Sequence, residues 1–276
     1  MIHIIVPTFD RIEDTKNFLN SIHRSISSKY LVLLIDDHPS NITFNSIKKD
    51  NVRVIPSNEE LWWVGSVNLG IKILFEEYDL NENDIVVFAN NDVQIEKKSF
   101  VTLVNEIEKD NYQIIHPRTF DQNQIEVSSG SKIISLFPYV TIHPKNFKRK
   151  KVAIDMGTTR FLMMSGGVLK KVGFINQELL QYGGDNDFTL TAKRSHNIKT
   201  YIIRDAVCVL DDSQTGIKNQ NIPSYQELFK SFKSIKSPNN IRYRYILFKK
   251  HYGKAASLLI TLSLTINTIL KFIIKR

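Results

Sequence analysis

Cysteine is nearly missing: Cys208 is the only one in 276 residues. An internal disulfide and a thiolate zinc cluster are thereby excluded, and the chain suits a reducing compartment. Several phosphate and metal signatures are missing too. Without GxxxxGKS/T the chain is not a P-loop nucleotidase, and without GxGxxG after the first strand-like run a dinucleotide cofactor is disfavoured. Without HExxH or CxxC a zinc hydrolase is disfavoured. Met1-Ile2-His3-Ile4-Ile5-Val6-Pro7 has no basic segment, long apolar core or small-residue cleavage site, so no signal peptide is expected. Acidic residues are missing from Phe229 to Arg276, where eleven Lys and Arg stand. The net charge is +9, so this tail carries more than all of it and the first 228 residues are slightly acidic. Disorder is excluded as well: at 42% hydrophobic and 24% charged residues the chain can fill a core.

What is present begins as strands alternating with helices. Ile2–Val6, Leu31–Ile35, Val52–Ile55 and Ile85–Ala89 read as strands. Between them, Asp14 or Thr15 caps a helix bearing Phe18, Leu19, Ile22 and Ile26, and Ser66 caps one bearing Val67, Ile71, Leu74, Phe75 and Tyr78. Lys97–Lys109 is a further helix. Units of about thirty residues predict a parallel, doubly wound sheet, a Rossmann-like nucleotide half over the first 110 residues. From Arg118 to Lys151 periodicity lapses, which marks a functional loop or short hidden strands. Phe161–Met164, Thr200–Ile203 and Val207–Leu210 are strand-like, and Val168–Val172 and Phe188–Ser195 helical. Six of the eleven glycines fall between Gly157 and Gly184, a density that marks tight turns and backbone close to a ligand.

Tyr225–Ile235 and Asn240–Tyr252 read as basic helices, and Ala255 to Leu270 is uncharged. Sixteen residues diluted by Ser, Thr and Asn are short for a membrane span. A helix lying in the interface, held by apolar contact and by Lys/Arg attraction to an anionic membrane surface, fits better. The other readings are a helix packed on protein and a true span.

Oxygen-bearing side chains gather at the predicted strand ends: Asp36-Asp37, Asn90-Asn91-Asp92, then Asp185-Asn186-Asp187 in a glycine-rich turn and Asp211-Asp212 after the last strand. In a parallel sheet the first two share the carboxyl edge, where open α/β sheets bind ligands. Each alone is also an ordinary turn. Converging carboxylates repel unless a cation or donors offset them. The pattern suggests a metal–nucleotide site with a separate general base, and an acidic edge argues against nucleic acid.

Val6-Pro7-Thr8-Phe9-Asp10-Arg11, Ile35-Asp36-Asp37, Asn58 through Trp62-Trp63-Val64-Gly65-Ser66-Val67-Asn68-Leu69-Gly70, Asn90-Asn91-Asp92 and Tyr182-Gly183-Gly184-Asp185-Asn186-Asp187-Phe188 occur in this order. In this the chain resembles glycosyltransferase family 2, inverting enzymes of GT-A fold, nearest its rhamnosyltransferase-like and galactofuranosyltransferase-like branches. The resemblance covers about residues 2 to 215. It implies an α/β GT-A fold, a Rossmann-like half with a mixed central sheet and a helical C-terminal extension, divided at 1–220 and 221–276.

The resemblance also implies roles. Thr8 and Phe9 hold the nucleobase, Phe9 by stacking, and Asp36 accepts from the base ring N–H. Asn68 and Asn91 lie near the nucleotide and sugar. Trp63 (with Trp62) faces the sugar pocket or is a core aromatic. Asp92 is the metal-binding carboxylate of a DxD motif reduced to NND. Asp185 is the general base, and Asp187 structural. Gly184 stands where the family commonly has an acid before the base. Where the family often has a histidine ligand after the last strand, Asp211 or Asp212 is an oxygen substitute. The implied cofactor is Mg2+ or Mn2+, arriving with the donor. The implied partners are a UDP- or dTDP-linked sugar donor and, given the tail, a lipid-linked saccharide acceptor at the inner face of the cell membrane. The alternatives are direct transfer to polyprenyl phosphate and a non-catalytic membrane-bound partner in a polysaccharide assembly complex. The Ile-, Asn- and Lys-rich composition suggests an AT-rich bacterial source and hence surface polysaccharide synthesis.

Overall fold

The computed structural model describes residues 1–57, 59–211, 222 and 224–274. Asn58, Asp212 and Arg276, all named above, lie outside the described residues. The first half builds β1 (Ile2–Thr8), α1 (Ile12–Ser25), β2 (Tyr30–Asp36), α2 (Ile42–Ser46), β3 (Val52–Pro56), α3 (Trp62–Glu77) and β4 (Ile85–Ala89). Strands β3, β2, β1 and β4 lie side by side and parallel. Every residue of β4 is buried, because both faces of the sheet are covered. Successive β1 side chains go to opposite layers. Ile4 and Val6 join Phe18, Leu19 and Ile22 of α1, whereas Ile5 joins Val67, Ile71 and Leu74 of α3.

The two helix starts differ from expectation. Helix α1 begins at Ile12, with no side-chain cap, and Thr15 instead donates to the Arg11 carbonyl at 2.7 Å. Helix α3 begins at Trp62, and Ser66 lies inside it with Oγ bonded to the Trp62 carbonyl at 2.7 Å. The missing cap signal has a physical origin. Asp37, distant in sequence, accepts from Leu61 N at 2.7 Å and Trp62 N at 2.8 Å, satisfying the first N–H groups of α3.

Beyond β4 come β5 (Val93–Ile95), α4 (Lys97–Lys109), β6 (Gln113–Asp121), β7 (Glu126–Val127), β8 (Gly130–Leu136), β9 (Tyr139–Ile142), β10 (Lys151–Ile154), β11 (Met156–Gly157) and β12 (Phe161–Ser165). The span without periodicity thus holds short strands, and β8, β9 and β11 form a small sheet of their own. Strand β12 is antiparallel between β4 and β6, so the sheet is mixed. After α5 (Gly166–Val172) and α6 (Gly184–His196), β13 (Lys199–Leu210) runs parallel to β6 as one bulged strand where two were expected.

The chain ends in α7 (Tyr225–Ser231) and α8 (Ile241–Ile274). Helix α8 breaks at Gly253, whose φ of 83° and ψ of 171° lie outside the helical region. Its two halves fold back on each other: Ser257 Oγ donates to the Tyr245 carbonyl at 2.7 Å, and Arg244 donates to Thr268 Oγ1 at 3.3 Å. Tyr243, Leu247, Phe248 and Ile260 belong to the same core as α3 and α6, so the extension packs into the main body of the fold. On the other side of 254–274, Leu258, Leu262, Ile266, Leu270 and Ile274 form an exposed stripe at fourfold spacing.

Candidate active site

Thr8 and Asp36 are register partners at the carboxyl ends of β1 and β2. Thr8 is buried, its hydroxyl bonded to the Ile35 carbonyl (3.3 Å) and Thr43 Oγ1 (3.1 Å). Phe9, one residue further, has left the sheet and is 53% exposed, its ring 5.0 Å from that of His38. Asp36 is fully enclosed and accepts from Phe44 N at 2.9 Å and His38 N at 3.3 Å. This end of the cleft therefore pairs an exposed aromatic face with a carboxylate held by backbone donors. Asp37 shows how such acids persist: burial raises its pKa, while the Leu61 and Trp62 N–H groups pull it back.

Two of the named amides are held by the protein's own groups. Asn68 faces the chain itself: its Nδ2 donates to the Ile175 carbonyl and its Oδ1 accepts from Ile175 N, both at 2.9 Å. Both ends of the amide are engaged, so Asn68 ties α3 to the segment leading into α6. Asn91 is buried with its Nδ2 on Thr15 Oγ1 at 2.9 Å, on the α1 side. Asn90 points the other way, accepting from Trp63 Nε1 at 3.3 Å. Trp63 is half-buried, packs against the core and also donates its backbone N–H to Gln181 Oε1 at 3.2 Å. It therefore bridges the β4 edge and the loop before α6.

Asp92 is 7% exposed. Its Oδ2 lies 3.6 Å from Arg11 Nη1, and its buried Oδ1 has no hydrogen-bond partner. Burial pushes its pKa up to about 6 against the pull of Arg11 and Arg160. Asp211, beyond β13, donates its backbone N–H to the Asp92 carbonyl at 2.8 Å, and with Asp14, Asn91 and Asp92 it lines a small cavity. Among the described residues no set of three His, Cys, Asp or Glu side chains is grouped to hold a metal. The orphaned Asp92 oxygen nevertheless fits a hard cation that takes one protein carboxylate and completes its shell with water and phosphate.

Asp185 sits in the first turn of α6, after Gly183 in the left-handed conformation (φ 89°). It is half-buried, accepts from Asn186 N at 2.8 Å, and is pushed up to about 6 by burial, partly offset by that N–H and by Arg160. Gly184 shows why the preceding acid is missing: a Cβ there would lie 2.5 Å from Val64 Cγ2 and 3.2 Å from Trp63. Asp187, one turn face away, is fully buried and meets Lys250 Nζ and His251 Nε2, each at 2.8 Å.

Arg160 is the residue that sequence reasoning missed. The β12–β4 register pairs Phe161 with Ala89, so Arg160 stands opposite Asn90, where its carbonyl accepts from Asn90 N at 3.2 Å. Its Nη1 donates to the Ser128 carbonyl at 2.5 Å. Burial lowers its pKa, against the opposing charges of Asp92 and Asp185. A single Arg before an apolar run carries no local signal; only the antiparallel register puts it at the edge.

The model of glycosyl transferase family 2 matches residues 3–173, more than half of the chain. The chain belongs to that family. The low-salt glycan biosynthesis hexosyltransferase Agl10 of Haloferax volcanii is 24% identical over 212 residues, which are 74% of this chain and 66% of that protein. The crystal structure of GalNAc-T7 with UDP, GalNAc and Mn2+ superposes with a TM-score of 0.59 at 9% identity, covering 97% of this chain and 58% of that one. The two share the GT-A fold. The chain thus spans about two thirds of the length of the one relative and less of the other.

Proposed function

We propose that this protein transfers a hexosyl or deoxyhexosyl unit, with inversion, from a UDP- or dTDP-linked donor to a hydroxyl of a lipid-linked saccharide. The observation that carries the reading is a pair of under-compensated carboxylates, Asp92 with a buried unpartnered oxygen and Asp185 in the first turn of α6. The nucleobase rests at Phe9 near Asp36, and the diphosphate lies toward Asp92. Asp92, with Asp211 as the further candidate, would hold Mg2+ or Mn2+. When bound, that cation offsets the charge gathering on the departing diphosphate. Asp185 takes the acceptor hydroxyl proton as the oxygen forms its bond to the anomeric carbon. The anomeric carbon–phosphate oxygen bond breaks on the opposite face, and its electron pair leaves with the nucleoside diphosphate. A carboxylate with a pKa near 6 is ionised at pH 7 yet more basic than a free one. Arg160 keeps Asp185 charged while the acceptor displaces water.

The same reading puts the protein on the cytoplasmic face of the membrane, in assembly of a bacterial surface polysaccharide. Its support is the Leu and Ile stripe of 254–274 beside the acid-free basic tail. Helix α8 is long and apolar enough to cross a membrane by length and composition. Its inner face is occupied by Ser257, Ile260 and Thr261 against protein, which favours lying on the surface. The rhamnosyl- or galactofuranosyl-type branch rests on motif order alone. The test is thermal stabilisation by a panel of nucleotide sugars with Mg2+ or Mn2+, followed by transfer to lipid-linked acceptors. Stabilisation by one UDP or dTDP sugar supports the reading; none, with either metal, defeats it. Transfer surviving Asp185→Asn would favour polyprenyl phosphate as acceptor, which needs no base.

A further inference from the structure

Arg11 occupies an unusual position for a surface-loop cation. It precedes α1 and reaches Asp92 at 3.6 Å. Its place is set by a relay from the site itself: Asn91 Nδ2 donates to Thr15 Oγ1, which donates to the Arg11 carbonyl. Its charge also acts on Asp14, which in turn feels Asp211. Asp14, Asp92 and Asp211 share the lining of one cavity, and Arg11 is the cation that lies against Asp92 at 3.6 Å. The Asp92 oxygen that does not face Arg11 is buried and unpartnered.

We propose that Arg11 is a resident counter-cation that keeps free divalent metal off Asp92 and yields to the metal only when a nucleoside diphosphate arrives. The inference rests on the donor reading above and adds a gate to it. A lone divalent ion must compete with a guanidinium already paired to its ligand. A divalent ion accompanied by a diphosphate does not, because the phosphate oxygens offer the guanidinium a replacement partner of the same kind. Metal and nucleotide therefore bind with strong mutual enhancement, and by linkage each tightens the other equally. Arg160, held on the Ser128 carbonyl and shared with Asp185, remains in place and is not the gate.

The test is Mn2+ titration followed by electron paramagnetic resonance, with and without UDP or dTDP, on the full chain. In the wild type, nucleotide is expected to tighten Mn2+ binding. Arg11→Gln is expected to tighten nucleotide-free Mn2+ binding by about tenfold or more, since affinity follows ligand charge. It should also shrink the enhancement by nucleotide. Arg11→Lys should stay near wild type, and Asp92→Asn added to Arg11→Gln should abolish the gained binding. Thermal unfolding of each variant reports that it is folded before titration. Unchanged nucleotide-free Mn2+ affinity in folded Arg11→Gln, with enhancement intact in the wild type, overturns the gate alone. No binding of either nucleotide to the wild type overturns the donor reading and the gate with it.

Discussion

Asp185 and Asp187 stand two residues apart at the start of α6 and belong to different regions of the molecule. The cleft leaves Asp185 one backbone N–H and a shared arginine, and burial dominates, carrying its pKa from 3.8 to about 6. The clamp between α6 and α8 also buries Asp187, and burial alone would raise its pKa. There His251 and Lys250 outweigh burial, and the pKa falls below the usual carboxylate value. Burial is common to both; what differs is whether it is compensated. An under-compensated acid is costly for folding and useful as a base, whereas a paired one holds two elements together.

The largest expected effect breaks the cleft side. Asp185→Asn should lower the transfer rate by about 10²- to 10⁴-fold, the range for loss of a general base, while leaving UDP or dTDP affinity unchanged in calorimetry. Comparable loss of nucleotide affinity would remove Asp185 from its role. In the wild type, activity should fall as pH drops below about 6, where Asp185 takes up a proton. The two acids also bias stability oppositely. The folded state holds more protons at Asp185 between pH 3.8 and about 6, so its contribution to stability declines as pH rises through that window. Asp187 has the depressed pKa; its contribution is present above the unfolded value of 3.8 and is lost as pH falls through the folded one. Urea titrations across pH should show each slope vanish in the corresponding Asn variant.

Next comes the clamp. Asp187→Ala leaves Lys250 and His251 facing a buried gap and should cost about 3 kcal/mol in urea unfolding, with nucleotide affinity retained in the folded fraction. Asn68→Ala strips both backbone partners from Ile175 and should cost about 2 kcal/mol. Because that loop leads toward Asp185, transfer should fall more than nucleotide binding does. The smallest effect is Gly184→Ala, whose Cβ forces Val64 and Trp63 to shift, at about 1–2 kcal/mol of stability read from thermal denaturation.

How legible these regions were follows from the range of the interactions. The donor edge was readable because a buried strand announces itself as an apolar run and stops on its polar residues: Ile85–Ala89 was placed to the residue, as was Lys97–Lys109. Side-chain direction after the strand was not readable. Asn90 and Asn91 are identical in type, and a turn decides which faces Trp63 and which faces Thr15. Asn68 carried a family position but is consumed by Ile175, 107 residues away. The helix start at Trp62 was hidden because its N–H acceptor is Asp37.

The sequence by itself determined the strand–helix alternation, the acidic ends of the parallel strands, the glycine-rich approach to Asp185 and the acid-free basic tail. These are local patterns of hydrophobic period and charge, and a chain carries them whatever its neighbours do. Only the tertiary structure decided that β12 enters antiparallel and sets Arg160 against Asn90, that Arg11 lies beside Asp92, and that α8 folds back at Gly253 and meets Asp187. Each depends on residues that are far apart in sequence meeting at a distance of a few ångströms. Charge compensation acts through space, and no local periodicity records it.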